Sequence, residues 1–226
     1  MRRSLRIRKG DLVGSGKSKL SKTGTSSNNS FENLTKGIKV DIDFKGNLED
    51  VKKEAVEFLQ GSNDVFKDFG LDGFKRISLN DEVDQFASVN GFDELTINTK
   101  FLKGEKTDNP DYYVATGLYA SGAHEAGHTV VNKLLNNKVI PDESNLKKSV
   151  TRNKGKLEKA IVKEAIKRHG KESKISDYGS KNNKEKVAEA FCDVYTNKNK
   201  ANPFSKEIVN VCKDINSGTF KPKIRV

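Results

Sequence analysis

The stretch "SGAHEAGHTVVNKLL", residues 121 to 135, holds two of the three histidines of the chain. His124 and His128 are four residues apart, and Glu125 directly follows the first. In a helix, positions i and i+4 lie on one face a turn apart, so the two imidazoles can aim nitrogens at one point. Zinc accepts His nitrogen at about 2.0–2.1 Å, and ligands one turn apart meet that bite. Glu125 is offset around the helix. It falls off the ion but within reach of a metal-bound water, whose proton it can take. The bland alternative is a pair of surface histidines on a polar helix. Val130, Val131, Leu134 and Leu135 argue against it, since they make the helix half-buried, while Ala123, Ala126 and Gly127 leave room around the rings.

A catalytic zinc needs a third protein ligand and one open position. His169, in "IKRHGKE", precedes a helix-ending glycine, where a histidine ordinarily caps carbonyls. The segment "ISDYGSKNNKEKVAEAFCDVY" offers Glu185 and Glu189, four apart on one helical face. Two like charges at that spacing cost about 0.2–0.5 kcal/mol unless a cation or a charged imidazole lies beside them. Each has another reading. Glu185 sits at the third helical position after Asn182 and suits a capping box, and Glu189 can pair with Lys186. Cys192 shares their face and reads as a packing cysteine. Spacing alone does not choose between Glu185 and Glu189.

The order of these motifs, "HEAGH" followed after about fifty residues by Y-x6-E-x3-E-A-F, resembles zincin metallopeptidases of the gluzincin type. Among these are the catalytic domain of anthrax lethal factor, the clostridial Pro-Pro endopeptidases, and related phage-encoded domains found beside minor head proteins. The similarity spans roughly residues 75 to 215 and rests on the two motifs. It implies a single Zn2+ held by His124, His128 and Glu185. It makes Glu125 the general base and Glu189 the carboxylate that orients the first histidine. Tyr178 becomes the hydroxyl that supports the oxyanion. The implied function is zinc-dependent endopeptidase activity on a protein or peptide. In such domains the peptide lies along an edge strand, a role expected here for "ELTINTKFL", residues 94 to 102. The rival expectations are a catalytically idle zincin-fold binding or assembly protein and a toxin-like secreted effector protease.

The elements that must position these residues follow from periodicity. "IKVDIDF", "FKRISL" and "ELTINTKFL" alternate as strands do, and "LEDVKKEAVEFLQ" repeats apolar residues at helical spacing. The turn-rich "NDEVDQFASVNGFD" separates two of the strands. "TDNPDYY", with Asp108 or Asn109 as cap and Pro110 in the first turn, opens a helix running to Leu135. Further helices are expected from about 145 to 168, over "KEKVAEAFCDVYTNK", and over "SKEIVNVCKDIN". The layout is α+β and zincin-like: a small mixed sheet with the HExxH helix over 37–136, then a helical subdomain over 137–226 carrying the third ligand.

Charge is unevenly spread. The chain of 226 residues carries a net +11. Residues 1–36 hold nine Lys/Arg against Asp11 and Glu32, and read as a basic, solvated arm. Such an arm suits nucleic acid or a phage structural protein as partner. "VGSGKSKL" misses the phosphate-loop spacing, because Asp11 stands where the first glycine belongs. Cys192 and Cys212 make no disulfide framework. No stretch reaches the roughly 20 apolar residues of a membrane span, and the basic start lacks the apolar run of a signal peptide. The expected setting is cytoplasmic or virion-associated.

Overall fold

The computed structural model of the chain describes residues 30–82, 85–103, 112–139 and 146–224, with side chains from 152 onward in the last segment. Its fold is mixed α+β. Four strands, β1 (Lys39–Asp43), β2 (Arg76–Asn80), β3 (Ala87–Val89) and β4 (Glu94–Asn98), form one sheet in the order β1-β2-β4-β3. β1 and β4 flank β2 in parallel, and β3 runs antiparallel to β4. Helix α1 (Phe31–Leu34) precedes β1, α2 (Lys52–Phe69) links β1 to β2, and α3 (Thr99–Leu102) follows β4. Four helices complete the body: α4 (Leu118–Leu134), α5 (Leu146–His169), α6 (Asn183–Asn197) and α7 (Pro203–Ser217).

The core forms because each element presents one apolar face. On the sheet, Ile77 and Leu79 of β2 lie beside Leu95 and Ile97 of β4 in register, all essentially without exposure. Ala55, Phe58, Leu59 and Val65 of α2 join them, with Val130, Val131 and Leu134 of α4. α2 and α4 cross at van der Waals distance because each has a glycine at the contact. A Cβ on Gly122 would fall 1.8 Å from the Phe58 carbonyl oxygen, and one on Gly61 would fall 2.0 Å from that of Tyr119. The Ser62 hydroxyl donates to the Gly122 carbonyl at 2.8 Å and pins the crossing. Gly127, one turn further, makes room for Phe191 of α6, whose ring carbons would stand 3.1 Å from an added Cβ. The small residues of "SGAHEAGH" therefore serve the packing of α4 on its neighbours as much as space for the imidazoles.

Several expected boundaries move. α4 begins at Leu118 after Gly117 and not at Pro110. Asp108, Asn109 and Pro110 lie outside the described residues. Within "ELTINTKFL" only Glu94–Asn98 is strand. The Asn98 side chain accepts from the Lys100 N–H and caps α3, which ends the extended run. The stretch read only as turns contains β3. That placement overturns the edge assignment: β4 is an interior strand paired on both sides, and the edges of the described sheet are β1 and β3. Residues 30–36, read as part of the arm, include α1, whose Phe31 is buried against α2; residues 1–29, with "VGSGKSKL", lie outside the described residues. α5 ends where expected, with Gly170 at φ 89° after His169.

The β3–β4 turn is fastened to α4. The Asn132 amide donates to the Asn90 carbonyl at 3.1 Å and to Asp93 Oδ1 at 3.0 Å. The Lys133 ammonium stands 3.7 Å from Asp93 Oδ2. These contacts fix the edge strand against the helix that carries the histidines.

Candidate metal centre

His124 and His128 project from α4 with ring centroids 5.0 Å apart. α4 keeps this face buried because α6 packs across it through Phe191 at Gly127. The first turn of α6 brings Glu185 opposite the histidines. Asn182 caps the helix by accepting from the Glu185 N–H at 2.9 Å, and that bond fixes where the Glu185 side chain starts. The carboxylate turns toward the imidazoles: Glu185 Oε2 lies 3.3 Å from His124 Nε2 and 3.5 Å from His128 Nε2. Its other oxygen is 3.3 Å from the Lys184 ammonium.

A zinc ion with bonds of about 2.0–2.1 Å at tetrahedral angles holds its ligand atoms about 3.3 Å apart. The two His–Glu separations match that spacing. Glu185 Oε2 is buried and engages in no hydrogen bond, although two ring nitrogens face it. An unsatisfied buried carboxylate oxygen is costly unless a cation completes it. A donor set of one carboxylate and two imidazoles therefore fits zinc, and among the described residues these three form the only such cluster of His, Cys, Asp or Glu.

Behind His124 stands Glu189, only 1% exposed. Its Oε1 is 3.0 Å from His124 Nδ1. Its Oε2 accepts from the Ser176 hydroxyl at 2.6 Å and from the Val114 N–H at 2.8 Å. Ser176 is itself held by the Gly179 N–H at 2.9 Å. With both oxygens engaged, Glu189 is a fixed acceptor that sets the His124 ring and its Nδ1 proton. The two glutamates that spacing left unranked thus take different places. Glu185 faces both histidines and Glu189 faces only the first.

Electrostatics follow from this geometry. Burial opposes a charge on His124, but the carboxylates of Glu185 and Glu189 on its two nitrogens outweigh it and push the imidazole up to about 10. Burial pushes His128 down to about 3, so its ring is neutral. Burial acts on Glu185 too, yet the two imidazoles hold its carboxyl far below the usual carboxylate range. Glu125 extends from the same turn of α4. Its Oε2 is buried without a partner, and burial pushes its carboxyl up, with Glu185 adding to the shift.

Tyr178 lies in a 3-10 turn before α6, its ring centroid 5.7 Å from that of His124. Burial and then the Glu185 carboxylate push its hydroxyl up, so it remains a donor. Tyr113 and Tyr112 pack on it at 4.9 and 5.5 Å, and the Lys181 ammonium sits 4.4 Å over its ring. Cys192 is buried, with Sγ 3.9 Å from the Ala115 carbonyl, and burial pushes its thiol well up; it belongs to the core and not to the cluster. His169 ends α5 with its ring 5.6 Å from Phe204 and likewise stays out of the cluster. Both cysteines are free.

Sequence reasoning missed five contributors. Ser176, Tyr112 and Tyr113 sit in loops, where no periodicity marks a side chain that turns inward. Lys154 and Glu158 of α5 are different. Both are buried, at 8% and 5% exposure, and Lys154 acts electrostatically on both His128 and Glu125. Leu157, Ile161 and Ala165 are fully buried on the same helical face. That spacing carries Lys154 and Glu158 to the inside of the helix, so the signal was present. Burial pushes the Lys154 ammonium down and the Glu158 carboxyl up to about 7.

Comparison of the chain with protein-family models, curated proteins and solved structures finds no match in any of the three.

Proposed function

We propose that the chain is a zinc-dependent endopeptidase of the zincin kind. The observation that carries this reading is the convergence of His124 Nε2, His128 Nε2 and Glu185 Oε2 at 3.3 and 3.5 Å, beside Glu125, whose Oε2 is buried without a partner. The motif order HEAGH, Tyr178, Glu185, Glu189, which resembles gluzincins, supports it as well. His124, His128 and Glu185 would hold the ion. Zinc bound there supplies Lewis acidity toward a carbonyl and lowers the pKa of water.

The residues of the chain divide the remaining work. Glu189 holds the Nδ1–H of His124 and thereby leaves Nε2 facing the cluster. Glu125 carries no competing hydrogen bond on Oε2. Its raised pKa suits a base that takes a proton from the attacking water and delivers it to the leaving amine as the C–N bond breaks. The Tyr178 hydroxyl donates to the carbonyl oxygen as negative charge develops on it. Tyr112 and Tyr113 pack on the Tyr178 ring on this side. An extended peptide pairs with the outward groups of edge strand β3.

Two samples test the reading, wild type and Glu125→Ala, each purified without chelator, assayed for metal and incubated with a peptide library. We expect one zinc per chain in both and cleavage only by wild type, the variant losing about 10²–10⁴-fold. Wild type free of metal, or equal cleavage by both proteins, would sink the proposal.

A further inference from the structure

Glu189 does more than hold the His124 ring, because its second oxygen gathers both segments that bear the tyrosines. Oε1 faces His124 Nδ1 at 3.0 Å. Oε2 accepts from the Val114 N–H at 2.8 Å, next to Tyr113, and from the Ser176 hydroxyl at 2.6 Å, two residues before Tyr178. An ionised carboxylate has no proton to give, so Ser176 is the donor and its oxygen is left to accept. It accepts from the Gly179 N–H at 2.9 Å, on the far side of Tyr178. One hydroxyl is therefore bonded to the turn on one side and to Glu189 on the other. The Ser180 hydroxyl donates to the Ser176 carbonyl at 2.8 Å and closes the turn on itself. The turn rests directly on Glu189: a Cβ on Gly179 would meet Ser176 Oγ at 3.2 Å and Glu189 Cβ at 3.3 Å. Local capping accounts for the bond from Gly179. It does not account for a buried serine whose proton goes to a carboxylate on α6.

We propose that Ser176 is a positioning residue that sets the Tyr178 hydroxyl against the metal ligands by tying its turn to Glu189, an inference that rests on the zincin reading of the site. The ring contacts of Tyr178 leave it room to slide: Tyr113 packs on it at 4.9 Å and His124 lies at 5.7 Å. The Tyr113 side of that packing is itself referred to Glu189, through the Val114 N–H on the same Oε2. An oxyanion donor works only when its hydrogen points to where charge will develop. A misplacement of about 1 Å can cost about 10²-fold in rate. The Ser176 bond is suited to fix that position, since charge-assisted O–H···O⁻ bonds are short and directional, about 2.5–2.7 Å, and this one is 2.6 Å. Because the same carboxylate holds His124 Nδ1, the oxyanion donor and the first metal ligand share one reference. Removing the Ser176 hydroxyl releases the turn but leaves Glu189 with the Val114 N–H and His124. Tyr178 placement and zinc holding then come apart.

The test uses the full-length chain as wild type, Ser176→Ala, Tyr178→Phe and the double variant, each checked for folding by circular dichroism. Fluorotyrosine labelling gives a fluorine NMR spectrum in which the Tyr178 resonance is the one lost in Tyr178→Phe. In Ser176→Ala that resonance should shift or split, with zinc and without it. On a peptide that wild type cleaves, at saturating zinc, kcat should fall about tenfold or more while KM stays within about twofold. Zinc affinity, read by chelator competition, should stay within about threefold, since Glu189 keeps its hold on His124. In the Tyr178→Phe background the same substitution should cost almost nothing further, because the group it positions is gone. An unchanged Tyr178 resonance would overturn the proposal. So would a loss of kcat that persists in full over Tyr178→Phe, or one that excess zinc restores, which would assign Ser176 to the metal instead. If Ser176→Ala does not fold, Ser180→Ala opens the same turn from its exposed side, and the same readouts decide. A wild type that cleaves no peptide defeats the zincin reading alone, and the fluorine spectrum still decides the role of Ser176.

Discussion

At the level of single residues, His124 is where a proton and a metal ion compete. Without metal, carboxylates on both nitrogens push its imidazole up to about 10, while His128 is neutral and Glu185 ionised. Zinc at Nε2 must displace one of the two ring protons. Between pH 7 and 9 calorimetry in buffers of differing ionisation enthalpy should therefore report about one proton released per zinc bound, falling toward zero above pH 10. No release at pH 7.5 would show that His124 is already neutral. The raised pKa also sets the sign of stability in the metal-free chain. The contribution of His124 is fully present below its ordinary value of 6.5 and is lost as pH rises through about 10. Glu189 makes a separate prediction. Glu189→Gln keeps the shape but removes the fixed anion behind the ring, and zinc affinity, read by chelator competition, should fall about 10–100-fold. An unchanged affinity would leave Glu189 with a packing role only.

At the level of elements, two glycine contacts and one strand decide the site. The Gly61–Gly122 crossing sets α4 on α2, and Gly127 sets α6 on α4 through Phe191, so the histidines and Glu185 meet because three helices pack closely. β3 is an edge strand anchored to α4 through Asn132. The Asn98 N–H donates to Phe86 O at 2.9 Å and the Asn90 N–H to Glu94 O at 3.1 Å, so the even-numbered residues pair with β4. The backbone groups of Ala87 and Val89 then face outward, free to pair with a peptide. Ala87→Pro removes one outward N–H. Peptide cleavage should drop at least tenfold while zinc content stays at one per chain. Full activity in this variant would mean that substrate does not add to β3.

For the whole molecule, the donor set ties α4 to α6, so zinc should stabilise the fold and not only the site. At a free zinc concentration 100 times Kd the gain is about 2.7 kcal/mol. For a chain of this size that corresponds to a Tm increase of about 5–10 °C. Removing metal with a chelator should lower Tm by that amount and abolish cleavage, and added zinc should restore both. A Tm indifferent to chelator would argue against an occupied site. Among the described residues no helix is long and apolar enough to cross a membrane.

What the sequence determined by itself is local. The His124–His128 spacing, the alternation that makes β1 and β2, the Asn182 cap of α6 and the Gly170 stop of α5 all follow from periods and end signals within a few residues. The burial of Lys154 and Glu158 was equally legible from the Leu157–Ile161–Ala165 stripe, since one helical face carries all five. Which glutamate faces both imidazoles was not. Glu185 and Glu189 share one face of α6, and only the packing of Phe191 against Gly127 separates their distances to α4. The edge strand likewise depends on partners that the chain supplies from elsewhere. β3 is three residues long in a turn-rich stretch, and pairing with β4 and the Asn132 anchor make it a strand. Tertiary structure decided these points because each depends on contacts between residues far apart in the chain, which no local period encodes.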